Sequence, residues 1–275
     1  MQGQGSTQAE GAAPIEARDV WIETGQGRLY ARQWLPARDV LPPVVLLHDS
    51  LGCVALWRGF PEALARTLGR RVIAYDRLGF GRSDPHPGPL DPAFVTLEAE
   101  QGFAALRAQL ELESFVLMGH SVGGGMAVAC AARHADGCRA LITESAQAFV
   151  EDYTRDGVAQ ARIAFRDPAQ LDRLRRYHGD KARWVLQAWT ETWTADAFAD
   201  WSLRATLPGV TCPVLALHGA QDEYGTARHP ETICALAGGP CRMELLPGLR
   251  HVPHREDEAR VLALVAQFLD APPGR

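Results

Sequence analysis

Val116-Leu117-Met118-Gly119-His120-Ser121-Val122-Gly123-Gly124-Gly125 is an apolar run that passes through G-x-S-x-G into the alanine-rich stretch Met126-Ala127-Val128-Ala129-Cys130-Ala131-Ala132. It reads as a strand over 115–118 feeding a helix over 122–134. A strand-to-helix turn this sharp forces its central residue into a strained backbone conformation and tolerates almost no side chain on either flank. Gly119 and Gly123 supply that room, and Gly124 and Gly125 are expected to let the helix lie close against the strand. The Ser121 hydroxyl would then stand clear of the sheet beside a helix N-terminus. The same five-residue pattern also arises in glycine-rich connections that carry an incidental serine. What separates the two cases is whether partner residues fall where such a sheet would put them.

Downstream, Thr211-Cys212-Pro213-Val214-Leu215-Ala216-Leu217-His218-Gly219 reads as a buried parallel strand, a short apolar run entered by proline and left by glycine. Asp222 follows its C-terminal end, where open α/β sheets gather catalytic and ligand groups. Met243-Glu244-Leu245-Leu246 reads as the next strand, Pro247-Gly248 turns the chain, and His251 lies in the loop beyond. The order is therefore Ser121, Asp222, His251. A serine hydroxyl is a poor nucleophile until a neutral imidazole can take its proton, and a carboxylate fixes the tautomer of that imidazole and stabilises its cation. Glu144, near the end of the preceding strand, is the rival carboxylate.

These features resemble the α/β-hydrolase superfamily in its cap-bearing esterase and lipase-like branch, over about residues 18–270. Leu46-Leu47-His48-Asp49-Ser50-Leu51-Gly52 resembles the family's oxyanion turn, with Asp49 where many relatives carry glycine. Tyr75-Asp76-Arg77-Leu78-Gly79-Phe80-Gly81-Arg82-Ser83-Asp84 resembles the family's Asp-Arg-x-Gly-x-Gly-x-Ser loop. His251-Val252-Pro253-His254-Arg255-Glu256 resembles the segment around the family's catalytic histidine, which implies His251 as base with His254 and Glu256 as supports. Val252 stands where carbon–carbon bond hydrolases of aromatic degradation typically carry tryptophan. Serine at position 121, not aspartate, argues against haloalkane dehalogenases and epoxide hydrolases.

The resemblance implies an α/β fold: a mostly parallel, eight-stranded, doubly wound sheet with a helical cap insertion. Strands are expected near 20–24, 27–34, 44–47, 72–75, 115–118, 140–143, 214–217 and 243–246, and helices at 57–69, 96–112, 122–134 and 257–270. Residues 1–17 read as a flexible tail, 18–146 and 207–275 as the core, and 147–206 as the insertion. That stretch carries no convincing strand and is rich in Trp184, Trp189, Trp193 and Trp201 and in arginines that read as a solvated helix face. At least one of these tryptophans is expected to face the pocket.

At 275 residues and 47% hydrophobic content, the chain can bury one full core plus an insertion. A formal net charge of −5 gives no electrostatic reason to expect nucleic acid or an anionic membrane as partner. There is no apolar run of roughly 20 residues, and the N-terminus lacks the pattern of a secretory signal. A cytoplasmic location follows as an expectation. The six cysteines form no C-x-x-C pair and read as buried reduced thiols. No spacing matches a metal site, so neither metal nor cofactor is expected. His48, His120 and His218 read as structural, His218 as a satisfied buried histidine, with Asp76 and Arg77 tying loops together.

The chemistry expected is two-step acyl transfer to water on a small-molecule substrate. Ser121 attacks an ester-type carbonyl, His251 moves the proton, and the oxyanion sits between the backbone N–H groups of Ser50 and Val122. With an ordinary histidine pKa of about 6.5, activity is expected to rise from acid toward neutral pH. Carbon–carbon bond hydrolysis, lactone hydrolysis and cofactor-free perhydrolysis reuse the same triad. A ligand-sensing protein on the same fold is the non-enzymatic alternative. Acyl chain length, natural substrate and homo-oligomerisation stay open.

Overall fold

The computed structural model describes residues 14–271. Eight strands form one sheet: β1 (Glu16–Thr24), β2 (Gly27–Leu35), β3 (Val44–Leu47), β4 (Val72–Tyr75), β5 (Phe115–His120), β6 (Cys138–Glu144), β7 (Val214–Gly219) and β8 (Cys241–Leu246). Their spatial order is β1-β2-β4-β3-β5-β6-β7-β8. The hairpin β1–β2 and its contact with β4 are antiparallel, and every later pairing is parallel. This is the expected mostly parallel sheet with an antiparallel start.

Helices cover both faces, which is why the central strands are apolar along their whole length. β3 shows the division. Val45 and Leu47 pack into one core with Phe103, Leu106 and Met126, while Val44 and Leu46 pack into another with Leu64, Val261 and Val265. The first face is built by α2 (Phe94–Glu100), α3 (Gly102–Gln109) and α4 (Val122–Arg133), the second by α1 (Phe60–Leu68) and α10 (Glu258–Asp270). Burying each such side chain contributes about 1.5–3 kcal/mol, so the two cores fix the sheet on which the site is mounted.

Three helices lie between β6 and β7: α5 (Asp152–Ala164), α6 (Pro168–His178) and α7 (Ala182–Thr194). Asp167 caps α6 by accepting from the Ala169 N–H, with Pro168 as its first helical residue. The insertion joins the core through a narrow neck. Phe149 and Ser202 form an antiparallel bridge, Leu203 N–H donates to Ala148 O at 2.8 Å, and Val150 N–H donates to Trp201 O at 3.2 Å.

Some local expectations are corrected. The helical pattern over 96–112 is two helices, broken where Gln101 leaves helical backbone angles. The pattern starting at 57 is a 3-10 turn, Val54–Trp57, followed by α1. Two further helices are α8 (Arg228–Leu236) and the single turn α9 (Pro253–Glu256). The cysteines are not all thiols: Cys234, at the end of α8, is disulfide-bonded to Cys241, at the start of β8, while Cys53, Cys130, Cys138 and Cys212 are free and buried. Among the described residues, no helix is long and apolar enough to cross a membrane.

Candidate active site

Ser121 sits between β5 and α4 at φ +56°, ψ −127°, a left-handed conformation that a non-glycine residue adopts only under strain. Its surroundings explain the flanking glycines. A Cβ on Gly119 would overlap the backbone of Gly123 and Gly124, and one on Gly123 would overlap the carbonyl oxygens of Leu47 and His48. Gly124 is equally constrained, by Ala146. Gly125 is not: a Cβ there would meet its neighbours at 3.5 Å, ordinary contact, which corrects the expectation that both glycines serve close packing.

Three chain segments converge at the C-terminal edge of the sheet. His251 Nε2 lies 3.0 Å from Ser121 Oγ, and His251 Nδ1 lies 2.8 Å from each carboxylate oxygen of Asp222. With the Nδ1 proton donated to Asp222, Nε2 presents its lone pair to the serine hydroxyl. The Asp222 side chain is fully buried; its Oδ1 also accepts the Tyr224 N–H at 2.7 Å. Burial alone would raise its pKa, but the hydrogen bond and charge of His251, with His218 nearby, hold it below the usual carboxylate range. Tyr224 stands edge-on to the His251 ring, 4.9 Å between centroids.

The His251 loop is held from both sides. The Glu256 carboxylate accepts the N–H of Arg250 at 2.7 Å and that of Val252 at 3.1 Å, the two residues flanking His251. His120 Nε2 lies 2.8 Å from the His251 carbonyl oxygen, and its Nδ1 lies 3.5 Å from Asp49 Oδ2. Burial works against a charge on His120, yet Asp49, Glu144 and the His251 carbonyl outweigh it and raise its pKa. Against the pull of burial, His120 above all, then His48 and the Leu51 N–H, hold Asp49 far below the ordinary carboxylate range. Asp49 Oδ1 in turn accepts the Leu51 N–H at 2.8 Å, shaping the turn that carries Ser50.

Glu144, the rival acid, faces elsewhere. Its oxygens accept the His254 N–H at 2.7 Å and meet His254 Nδ1 at 2.6 Å. Its pKa is lowered against the pull of burial by His254 and then His120. His120, Glu144 and His254 bring potential metal-ligand atoms within 4.8 Å of one another, a cluster that sequence spacing did not announce. Two of those ring nitrogens, His254 Nδ1 and His120 Nε2, are already directed at Glu144 and at the His251 carbonyl.

The amide N–H groups of Ser50 and Val122 take no partner among the described residues. Ser50 lines the cavity that reaches Ser121, and it lines a small neighbouring cavity together with Val122. Behind this turn, His48 is buried with Nδ1 2.8 Å from Asp49 O and Nε2 accepting the Arg77 N–H; burial pushes its pKa well down, so it is neutral. Asp76 accepts the N–H groups of Val54 and Arg82, tying two loops together as the sequence suggested. His218 differs from its expected role. Its Nε2 faces Gly225 O at 3.0 Å, but its buried Nδ1 has no partner among the described residues.

The cavity over Ser121 measures about 200 Å³, and its apolar wall is formed by Leu51, Leu56, Val158, Trp189, Trp193 and Val252. Trp189 and Trp193 thus face the cavity, whereas Trp184 donates to Gly88 O and stacks on His86 at the rim, and Trp201 packs on Phe198.

Three features escaped the sequence. Gln147, buried after β6, places Oε1 3.3 Å from Ser121 Oγ and lines the cavity. His178 of α6 accepts the Gly81 N–H and faces Leu51 O, while Lys181 donates to Gly81 O and Ser83 O, fastening the insertion to the rim. Finally, Glu151 accepts from Thr226 and lies 2.9 Å from His229 Nε2. None has a local motif, because each depends on contacts between distant segments.

Residues 42–257 match the family model described as the alpha/beta hydrolase fold. A non-heme haloperoxidase of Rhodococcus erythropolis is 30% identical over 213 residues, covering 66% of this chain and 76% of that protein. A (lyso)-N-acylphosphatidylethanolamine lipase of Homo sapiens is 29% identical over 117 residues, 42% of this chain and 34% of the relative. A proline iminopeptidase of Lactobacillus helveticus is 37% identical over 112 residues, 39% of this chain and 37% of the relative. The matches to these last two thus span only about a third of the relatives' length. Among solved structures, the enol-lactonase from Burkholderia xenovorans LB400 superposes with a TM-score of 0.72 at 21% identity, covering 92% of this chain and 100% of that one. That likeness concerns the fold. The family match, the haloperoxidase relative and the sheet order agree, and the chain belongs to the α/β-hydrolase fold family.

Proposed function

We propose that this protein is a serine hydrolase that cleaves an ester-type bond of a small, largely apolar molecule through an acyl-enzyme. One observation carries the reading: Ser121 Oγ, His251 Nε2 and Nδ1, and the Asp222 carboxylate form an unbroken chain of 3.0 and 2.8 Å contacts at the floor of an apolar cavity. In this mechanism His251 takes the Ser121 proton as Oγ attacks the carbonyl carbon, and Asp222 stabilises the imidazolium that forms. The negative oxygen is received by the free N–H groups of Ser50 and Val122; each such donor is worth about 3 kcal/mol of barrier. His251 then protonates the leaving alcohol, water enters, and the same steps in reverse release the acid. The insertion acts as a cap, with Trp189 and Trp193 forming the apolar wall that selects the acyl or alcohol group.

The haloperoxidase relative favours a second reading, in which hydrogen peroxide instead of water intercepts the same acyl-enzyme and yields a peracid.

The test combines turnover with trapping. Wild type is expected to hydrolyse p-nitrophenyl acetate or butyrate and to gain the mass of one fluorophosphonate adduct at Ser121. Ser121→Ala should retain its fold by circular dichroism and lose four or more orders of magnitude in turnover. Unchanged turnover in that variant, or labelling elsewhere, refutes the assignment. Adding peroxide and assaying peracid separates the second reading from the first.

A further inference from the structure

Cys138 and Cys212 are the second feature of this chain's sulfur chemistry, and they are unconnected to the triad. Cys138 opens β6 and Cys212 lies two residues before β7. Their Sγ atoms are 3.6 Å apart, about van der Waals contact, and both residues are buried, Cys138 at 4% and Cys212 at 8% exposure. The strand register together with a bulge in β6 explains the meeting. β6 and β7 pair in parallel with Leu141 opposite Val214, and Leu141 N–H donates to Pro213 O at 2.9 Å. β6 is irregular at Arg139, where Phe115 pairs with Cys138 but Val116 pairs with Ala140. This turns Cys138 onto the face shared by Leu141, Val214 and Cys212, so the two cysteines face each other across neighbouring strands about 5 Å apart at Cα. That distance falls inside the span a disulfide bridges without backbone movement. The existing disulfide lies on the same edge of the sheet, since Cys241 pairs with Val214.

We infer that Cys138 and Cys212 are an oxidisable pair that closes into a second disulfide when the protein meets a hydroperoxide. Cys212, the more exposed, attacks first as thiolate. Its sulfur takes one oxygen of the hydroperoxide, the O–O bond breaks, and the alcohol leaves with a proton, so Cys212 becomes a sulfenic acid. The Cys138 sulfur then displaces that oxygen, which departs with the thiol proton as water. Two electrons from the sulfur pair reduce one peroxide bond. Contact with Cys138 lowers the Cys212 pKa, in keeping with this order.

The consequence lies in what the bond would enclose. Between 138 and 212 runs the whole insertion, α5 to α7, together with its neck. A link there closes, at the N-terminal ends of β6 and β7, the loop of chain that contains the insertion. Ser121, Asp222 and His251 occupy the opposite edge, about 20 Å away along six-residue strands. The cross-link therefore restrains the unfolded chain without touching the triad.

The experiment treats the full-length protein with hydrogen peroxide, alkylates it with N-ethylmaleimide in denaturant, and maps the unreduced digest by mass spectrometry. The expected result is a peptide joining Cys138 to Cys212, with alkylated thiols falling from four to two. The melting temperature should rise by several degrees, reversed by dithiothreitol, and Cys138→Ser should show neither the peptide nor the rise. Should that variant fail to fold, the wild-type digest decides alone. Four alkylated thiols after oxidation, or sulfinic acid at Cys212 with no cross-linked peptide, overturns the inference.

Discussion

Two adjacent glycines of α4 offer a matched test of how the turn at Ser121 is held. Gly124→Ala and Gly125→Ala make the same chemical change one residue apart in one helix, so each gains the same intrinsic helix preference, about 1 kcal/mol. At Gly125 the new methyl meets Gln147 O, Trp201 and Val95 at 3.5 Å, and nothing opposes that gain. Gly125→Ala is expected to be about 1 kcal/mol more stable than wild type, or about 2 °C in Tm for a chain this long. At Gly124 the methyl overlaps Ala146 Cβ and comes within 3.0 Å of Gly119 O, so α4 must shift off β5. Overpacking of this kind costs about 1–3 kcal/mol. Because the propensity gain is common to both, the difference between the variants reports that cost directly. The shift also carries the Val122 N–H away from its place beside Ser121, so ester turnover should fall at least tenfold in Gly124→Ala only. Urea midpoints and kcat for a p-nitrophenyl ester provide both numbers. If Gly124→Ala matches Gly125→Ala in stability and turnover, the account of the turn is wrong.

Asp222→Asn should lower turnover by roughly 10⁴, whereas Glu144→Gln should keep more than a tenth of it while losing several kcal/mol of stability, because it breaks the buried contact with His254; the reverse ranking would make Glu144 the acid. His229 is buried and neutral, with burial pushing its pKa down to about 4 from the ordinary 6.5. The unfolded chain therefore binds its proton first. Stability contributed by this group is complete above pH 6.5 and declines as pH falls toward 4, on the order of 3 kcal/mol in all. Urea midpoints from pH 7 to 4.5 should fall less steeply in His229→Gln than in wild type, and parallel curves count against it. Trp189→Ala should raise KM for aromatic esters several-fold, while Trp184→Ala, which removes a rim contact, should leave KM within twofold; equal effects would sink the division between wall and rim.

The strands were legible because a parallel sheet covered on both faces needs uninterrupted apolar runs, and Val44–Leu47 or Val72–Tyr75 allow no other reading. Ser121 and Asp222 were legible as candidates because each follows such a run at the same edge, and His251 because the strand signal ending at Leu246 and the Pro247-Gly248 turn place it there too. Gln147, by contrast, reaches Ser121 only through the path of the chain after β6, which has no pattern of its own. The disulfide was missed for a related reason. With α8 unrecognised, Cys234 and Cys241 were two scattered cysteines; with α8 in place, one ends a helix and the other begins the next strand, and the short return between them brings the sulfurs together. The freedom of Gly125 could not be read either, since it depends on Trp201 arriving from the neck of the insertion.

That neck has a wider meaning. Because entering and leaving backbones touch at Phe149 and Ser202 before the three helices begin, the sheet experiences the intervening fifty-odd residues as a loop with fixed ends. Sequence can be exchanged, lengthened or trimmed beyond that clasp with little geometric penalty to the strands below. If the insertion selects the substrate as proposed, a scaffold arranged this way keeps the reacting side chains on the sheet's own loops and the selecting wall on a separate segment held at its two ends.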